Sequence, residues 1–166
     1  MKTLQRVWRH WLASLRPARR LLPPAALAQI EAEVRAAEQA HEGEIRVVIE
    51  TALSLPQLWK GLHSRARALQ LFASLGVWDT AHNNGVLIYI LLADRSVEII
   101  ADRAVAQRIA EAEWRALCTE IAAQCGRGEY AAACCMAVRR VGQRLARLYP
   151  APGGDSNELP NQPILL

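Results

Sequence analysis

Four residues with oxygen-bearing side chains, Glu44, Asn83, Asn84 and Asp102, flank the apolar segments of the sequence and could bind a metal ion. Oxygen ligands of this kind suit a hard divalent cation. The same residue types also cap loop amides or pair with a base such as Arg103. We favour this second, structural interpretation, and the sequence leaves the metal site open.

The elements that would position these side chains are three short apolar strands. Residues 45–49, 86–92 and 97–101 have strand length and are bounded by turn residues. A helix starting after Ser54 connects the first two strands, so they should be parallel through a right-handed crossover. The third strand follows a short turn and should form an antiparallel hairpin with the second. In this topology all four candidate residues lie at one edge of the sheet.

The order of elements predicts an α/β fold. Helix, strand, helix, strand, strand and then C-terminal helices indicate a three-layer α/β/α sandwich with a small mixed central sheet. Lys60, Arg65 and Arg67 fall on the crossover helix, where we interpret them as a solvated face rather than a phosphate clamp. The apolar positions of that helix predict that five side chains enter the core: Leu58, Trp59, Leu62, Leu69 and Phe72.

The positive charge of the chain is concentrated at its N-terminus. Residues 1–30 contain six bases and no acid, whereas the remaining 14 bases and 16 acids give the rest a slightly negative balance. The sequence therefore divides into a basic amphipathic arm (1–22), a globular domain (23–150) and an extended C-terminal tail (151–166). The tail could fold back onto the domain or be presented to another protein.

The arm has the composition of a helix that binds an anionic membrane surface. Apolar residues recur at spacings of three and four between bases, and two of them are tryptophans. Packing of the same apolar residues against the domain is an equally good interpretation. The candidate membrane-binding residues are Lys2, Arg6, Trp8, Arg9, Trp11, Arg16, Arg19 and Arg20.

Several protein classes are disfavoured by the sequence. The longest apolar run, residues 86–93, is far shorter than the ~18 to 20 residues that span a bilayer. Bases recur throughout the N-terminal stretch, which is unlike a secretory signal, so we expect a cytoplasmic protein, peripheral on the inner membrane if the arm binds lipid. The four cysteines form no CxxC pair, and GxGxxG, phosphate-loop and nucleophile-elbow motifs are absent. Nucleic-acid binding through the arm is a weaker hypothesis, because no recognition element accompanies the charge.

The most specific pattern is the stretch of residues 78–89, WDTAHNNGVLIY, together with Gly43-Glu44-Ile45 before it and residues 97–103, VEIIADR, after it. It resembles the TPM domain family, in a bacterial subgroup that has neither a signal peptide nor a transmembrane helix. The resemblance covers about residues 25–150 and implies an α/β/α sandwich, so that residues 23–150 are a TPM-like domain. Trp114 and the GEY sequence at 128–130 also match the closing helices of that family.

The resemblance implies several functions. Some members of the family are described as acid phosphatases, some bind calcium, and others are accessory proteins in membrane complexes. Here Asn83 and Ala106 stand where many relatives have carboxylates. We therefore expect a non-catalytic accessory or interaction protein at the cytoplasmic face of the membrane, with a membrane-protein partner as one possibility. A phosphohydrolase dependent on Ca²⁺ or another divalent cation is the alternative, with Glu44 and Asp102 as its catalytic candidates.

Overall fold

A computed structural model describes residues 2–16, 18–151 and 158–166, with the side chains of residues 2, 3 and 18 left out. The described chain forms eight helices and four strands. In order they are α1 (Lys2–Ser14), α2 (Ala18–Leu21), α3 (Pro24–Glu38), β1 (Ile45–Glu50), α4 (Leu55–Trp59), α5 (Ser64–Ser74), β2 (Val86–Leu91), β3 (Ser96–Ala101), α6 (Arg103–Ala106), α7 (Glu111–Gly126), α8 (Tyr130–Leu148) and β4 (Ile164–Leu165).

The four strands form one mixed sheet in the order β3-β2-β1-β4. β1 and β2 are parallel, with Ile45 opposite Val86, and β3 runs antiparallel to β2, with Ala101 opposite Val86. The predicted parallel pair and the predicted hairpin are therefore both confirmed. All six residues of β1 and all six of β2 are buried, as expected for strands covered on both faces.

The two faces of the sheet carry separate cores, which gives the predicted three layers. One face packs on α3, α7 and α8 through side chains such as Ile49, Ile88 and Val141. The other face packs on α4 and α5 through Leu58 and Leu71, and Val7 of α1 joins this smaller core. Alternate residues of each strand supply the two cores, because successive side chains point to opposite faces.

The crossover between β1 and β2 differs from the single helix expected. Two short helices, α4 and α5, are separated by a turn in which Gly61 has a positive φ of 69°. The turn changes the direction of the chain, so a single helical periodicity does not continue across it. Leu58 is buried, but Trp59 is 80% exposed and Leu69 is 49% exposed, and the prediction that both lie in the core was wrong.

The C-terminal tail folds back onto the domain and completes the sheet. β4 lies parallel to β1, with Val48 opposite Ile164, and the backbone N–H of Thr51 donates to the carbonyl of Leu166 (2.9 Å). Residues 152–157 of the predicted tail lie outside the described residues. Within the described residues, no helix is both long enough and apolar enough to cross a membrane.

Gly85, which precedes β2, lies where the edge of the sheet is tightly packed. A Cβ at this position would overlap the backbone carbonyl of Val77. We expect Gly85→Ala to destabilise the protein by about 3 kcal/mol or more, since backbone must move to relieve the overlap. Gly126→Ala is the matched control, because open space surrounds Gly126, and its unfolding free energy should change by less than ~1 kcal/mol. Urea denaturation of the two variants measures the difference, and equal effects would contradict this account.

Candidate functional site

The structure brings the four sequence-predicted metal candidates to one edge of the sheet. Glu44 precedes β1 and its carbonyl accepts from the backbone N–H of Val86 (2.8 Å), while the backbone N–H of Asp102 donates to the carbonyl of Gly85 (2.8 Å). Asn83 and Asn84 enter β2 at the same level. The topology argument therefore placed these residues correctly, although placement alone does not make them a cation site.

Glu44 is engaged by the C-terminal tail. It is 2% exposed, and its two carboxylate oxygens accept the backbone N–H groups of Glu158 and Leu159, each at 3.1 Å. A buried carboxylate needs such donors, because burial without partners costs several kcal/mol. A cation bound at Glu44 would have to displace the tail.

The two asparagines serve the turn that leads into β2. The side chain of buried Asn84 accepts from the hydroxyl of Thr80 (3.2 Å) and donates to the carbonyl of Glu42 (2.8 Å). Asn83 has a positive φ of 51°, a conformation that asparagine tolerates better than most residues, and its carbonyl accepts the backbone N–H of Ala104 (3.2 Å). Both residues therefore contribute hydrogen bonds to the turn.

Asp102 caps the short helix α6, where its Oδ1 accepts the backbone N–H of Arg103 at 2.6 Å. Its second oxygen, Oδ2, is buried and has no hydrogen-bond partner among the described residues. Nowhere in the described part of the chain are three or more His, Cys, Asp and Glu residues grouped so as to hold a metal ion. With Glu44 and Asn84 already engaged, the donors at this edge do not fit a preformed cation site.

The cysteines also lack the environment of nucleophiles. Cys125, Cys134 and Cys135 are buried, and Cys118 is half-buried. Burial raises the pKa of the Cys118 and Cys125 thiols to about 11, so both stay protonated at neutral pH. They pack as small apolar side chains.

The N-terminal helix makes its ion pairs with the domain through one carboxylate. Asp94, in the turn between β2 and β3, receives the Arg6 guanidinium at Oδ2 (Nε 3.0 Å, Nη2 2.8 Å) and Nη2 of Arg9 at Oδ1 (2.8 Å). His10 is 1% exposed and places its Nε2 3.1 Å from the same Oδ1, while its Nδ1 accepts the backbone N–H of Leu53 (2.9 Å). Two adjacent turns of α1 are therefore bound to a single acid.

The charges around Asp94 control its protonation. Burial alone would raise the pKa of this carboxyl group, but the neighbouring His10 and Arg6 side chains outweigh that effect. The net result holds the pKa of Asp94 well below its ordinary range. The carboxylate is thus ionised, and able to bind α1, throughout the physiological range.

The opposite face of α1 is apolar and lies in water. The side chains of this outer face are 44% to 77% exposed, and the rings of Trp8 and Trp11 lie 4.9 Å apart, centroid to centroid. Large apolar side chains grouped on one exposed surface commonly mark an interaction site. The outer face consists of Leu4, Trp8 and Trp11 and continues through Leu12 and Leu15, which also line a cavity next to the domain.

The predicted membrane-binding bases have two different positions. Arg6 points inward and binds both Asp94 and the carbonyl of Leu62 (2.8 Å). Arg9, Arg16, Arg19 and Arg20 are exposed, although Arg9 also reaches Asp94. The side chain of Lys2 lies outside the described side chains.

Sequence reasoning missed a buried charged cluster on the side of the sheet that packs on α4 and α5. Arg67 donates from Nε and Nη2 to the two carboxylate oxygens of Glu50 (2.9 and 3.0 Å), and the hydroxyl of Tyr89 donates to Glu50 Oε2 (2.6 Å). Burial and the neighbouring Glu50 charge raise the pKa of Tyr89 far above its ordinary value. The interpretation of Arg67 as part of a solvated face was wrong; an acid within the buried strand β1 was the available signal that a base must pair with it.

Known proteins share this architecture. A family model described as the TPM domain matches residues 18–144, well over half of the chain. The chain belongs to the TPM domain family. A search of curated proteins gave no match.

Two solved structures resemble this TPM domain. The BA42 protein of the psychrophilic bacterium Bizionia argentinensis, solved by NMR, is 26% identical with a TM-score of 0.76, over 87% of this chain and 95% of that one. The N-terminal domain of a protein from P. gingivalis is 22% identical with a TM-score of 0.62, over 77% of this chain and 79% of that one. The second likeness concerns the fold alone.

The docking of α1 on the TPM domain should depend on Asp94. We expect Asp94→Asn to lower the unfolding free energy by about 2 to 3 kcal/mol, because hydrogen bonds to charged groups are lost in a half-buried setting. The amides of α1 should also exchange with solvent faster. Since a lowered carboxyl pKa stabilises the fold above pH ~4 and the effect is lost as the pH falls further, the wild type should lose stability in acid more steeply than the variant.

The control for Asp94 is Glu31→Gln, which removes an exposed ion pair with Arg35 (2.9 Å). Exposed pairs contribute little, so this change should cost less than ~1 kcal/mol. Hydrogen exchange and pH-dependent thermal unfolding provide both readouts. Unaltered protection of α1 in Asp94→Asn would rule out the carboxylate as its anchor.

A separate prediction concerns the cluster of Glu50, Arg67 and Tyr89. Arg67→Met should destabilise the TPM domain by about 3 to 5 kcal/mol, because it leaves a buried carboxylate without its cation. The double variant Arg67→Met/Glu50→Gln should recover most of this loss, since the neutral amide oxygen introduced at position 50 can still accept the hydroxyl proton of Tyr89. Urea denaturation measures both, and a double variant no more stable than the single one would disprove the charge-pairing explanation.

Proposed function

We propose that this TPM-domain protein is a non-catalytic accessory protein that attaches to an anionic membrane surface through the outer face of α1. The observation that carries the proposal is the apolar outer face left exposed on a helix whose inner face is already bound to the domain. Packing against the domain and binding a membrane were competing interpretations of the arm, and the two faces of α1 are compatible with both.

The composition of the outer face favours lipid over a soluble protein partner. Trp8 and Trp11 have the amphipathic rings that settle at the headgroup level of a bilayer. Arg9 is exposed beside them, and Arg16, Arg19 and Arg20 continue the positive charge beyond α1. An apolar strip next to several bases is the usual form of an interfacial helix.

The expected affinity is modest and reversible. Each base near an anionic surface contributes about 1 kcal/mol, so four arginines supply about 4 kcal/mol, which alone corresponds to a millimolar dissociation constant. Insertion of the tryptophan and leucine side chains adds to this. Because α1 is already folded and held by Asp94, binding carries little further cost for ordering the helix.

The cytoplasmic face of the membrane is the location we propose, since anionic lipids give that leaflet its negative surface potential. The free thiols of all four cysteines are consistent with a reducing compartment. A role as an accessory protein rather than a hydrolase is supported by the engagement of Glu44 and Asn84 within the fold.

Vesicle binding tests the proposal. The full chain should co-sediment with vesicles containing phosphatidylglycerol but not with phosphatidylcholine vesicles, and added salt should weaken the binding because surface charges are screened. The double variant Trp8→Ala/Trp11→Ala should bind anionic vesicles about tenfold more weakly, since both rings lose their insertion into the interface.

Trp59→Ala is the matched control, because Trp59 is an exposed tryptophan on α4 rather than on α1. It should bind anionic vesicles as the wild type does. Wild-type affinity in the double variant, or equal binding to both kinds of vesicle, would refute the proposed attachment.

A further inference from the structure

A cavity of about 650 Å³ lies between the N-terminal helices and the domain. Its walls include Leu12 of α1, Leu21 of α2, Thr51 after β1 and Leu92 after β2. It therefore opens at the carboxyl ends of the two parallel strands, the edge at which open α/β sheets commonly bind ligands. This edge is opposite the one that carries Glu44 and Asp102.

The charges around the cavity have a single sign. Arg9, Arg16 and Arg95 contribute guanidinium groups, and none of the described residues that line the cavity is an acid. Asp94 lies next in the chain, but Arg6, Arg9 and His10 already bind its carboxylate. The positive charge at the cavity is thus not neutralised by the residues of this lining.

Two of these arginines stand apart from the ion pairs of the fold. In the part of the chain that the structure describes, neither Arg16 nor Arg95 makes an ion pair or a side-chain hydrogen bond. Arg95 also has a positive φ of 52°, a conformation that costs most residues energy and that Gly or Asn would adopt more easily. The conformation of the turn does not require an arginine at position 95, so the Arg95 guanidinium is available for a ligand.

The remaining walls define the rest of the ligand. Leucine side chains from α1, α2 and the end of β2, with Tyr130 of α8, give the cavity an apolar lining beside the arginines. Guanidinium groups recognise phosphate through charge-assisted hydrogen bonds, and apolar walls accept hydrocarbon. A phosphate group attached to an acyl chain satisfies both parts of the cavity.

We infer that this cavity binds the phosphate headgroup and the first acyl carbons of an anionic phospholipid, with Arg16 and Arg95 as the phosphate-binding residues. The inference rests on the proposed function, because it names the lipid class that the membrane-attached protein recognises. The two sites differ in location. The tryptophans of the outer face of α1 insert into the membrane, whereas the cavity holds one headgroup.

Calorimetry with soluble ligands tests the cavity without a membrane. Dihexanoyl-phosphatidylglycerol below its micelle concentration should bind the full chain, and glycerol 3-phosphate should bind at least about tenfold more weakly because it lacks the acyl carbons. Arg95→Asn, which suits the positive φ, should weaken dihexanoyl-phosphatidylglycerol binding about tenfold, and Arg16→Gln should do the same. Arg115→Gln on α7 is the control and should bind as the wild type does.

The outcomes separate this inference from the proposed function. Equal affinity for glycerol 3-phosphate and the lipid would show a phosphate site only and overturn the lipid assignment. Loss of vesicle binding in Trp8→Ala/Trp11→Ala together with unchanged lipid affinity in Arg95→Asn would overturn the cavity and keep the attachment surface. Binding of the soluble lipid without vesicle binding would keep the cavity and refute the attachment.

Discussion

The ion pairs of Asp94 determine how the N-terminal segment relates to the rest of the molecule. One carboxylate in a hairpin turn binds three cationic or hydrogen-bonding side chains that lie close together on α1: Arg6, Arg9 and His10. That contact decides which face of α1 is hidden and which is exposed. The cavity between α1 and the domain is lined by Arg9 and by Ala93 and Arg95, the two neighbours of Asp94, so it lies next to this contact.

The two sides of the sheet bury different kinds of side chain. The side that packs on α3, α7 and α8 is almost entirely apolar. The side that faces α4, α5 and α1 buries charge, because Arg46 and Glu50 of β1 point there along with Tyr89 of β2. Arg46 donates to the carbonyls of Pro160 and Gln162, and Glu50 is paired with Arg67. Burial of ions is costly without such partners, so on this side directional contacts add to apolar packing in fixing the positions of α5 and the tail.

The parts of this structure that sequence could predict are those set by local pattern. Three apolar segments with intervening turns were enough for the mixed sheet and for placing Glu44, Asn84 and Asp102 at one edge. The contacts that matter most were not predictable in this way. His10 contacts Leu53, which lies 43 residues further along the chain, and the still more distant Asp94, and nothing near Asp94 in sequence indicates its partners on a remote helix. The break at Gly61 was missed for a related reason, since apolar spacing on both sides mimicked one continuous helix.

The return of the tail to β1 changes what counts as the smallest complete unit of this protein. Ile164 lies beside Val48, and Glu44 is capped by amides of residues 158 and 159. A fragment cut at the limits of sequence similarity, residues 18 to 144, would lack both α1 and β4. It would leave one edge of a fully buried strand open to water and to other chains. Any excised form of this domain therefore has to retain both of its terminal segments to have the surface chemistry of the intact molecule.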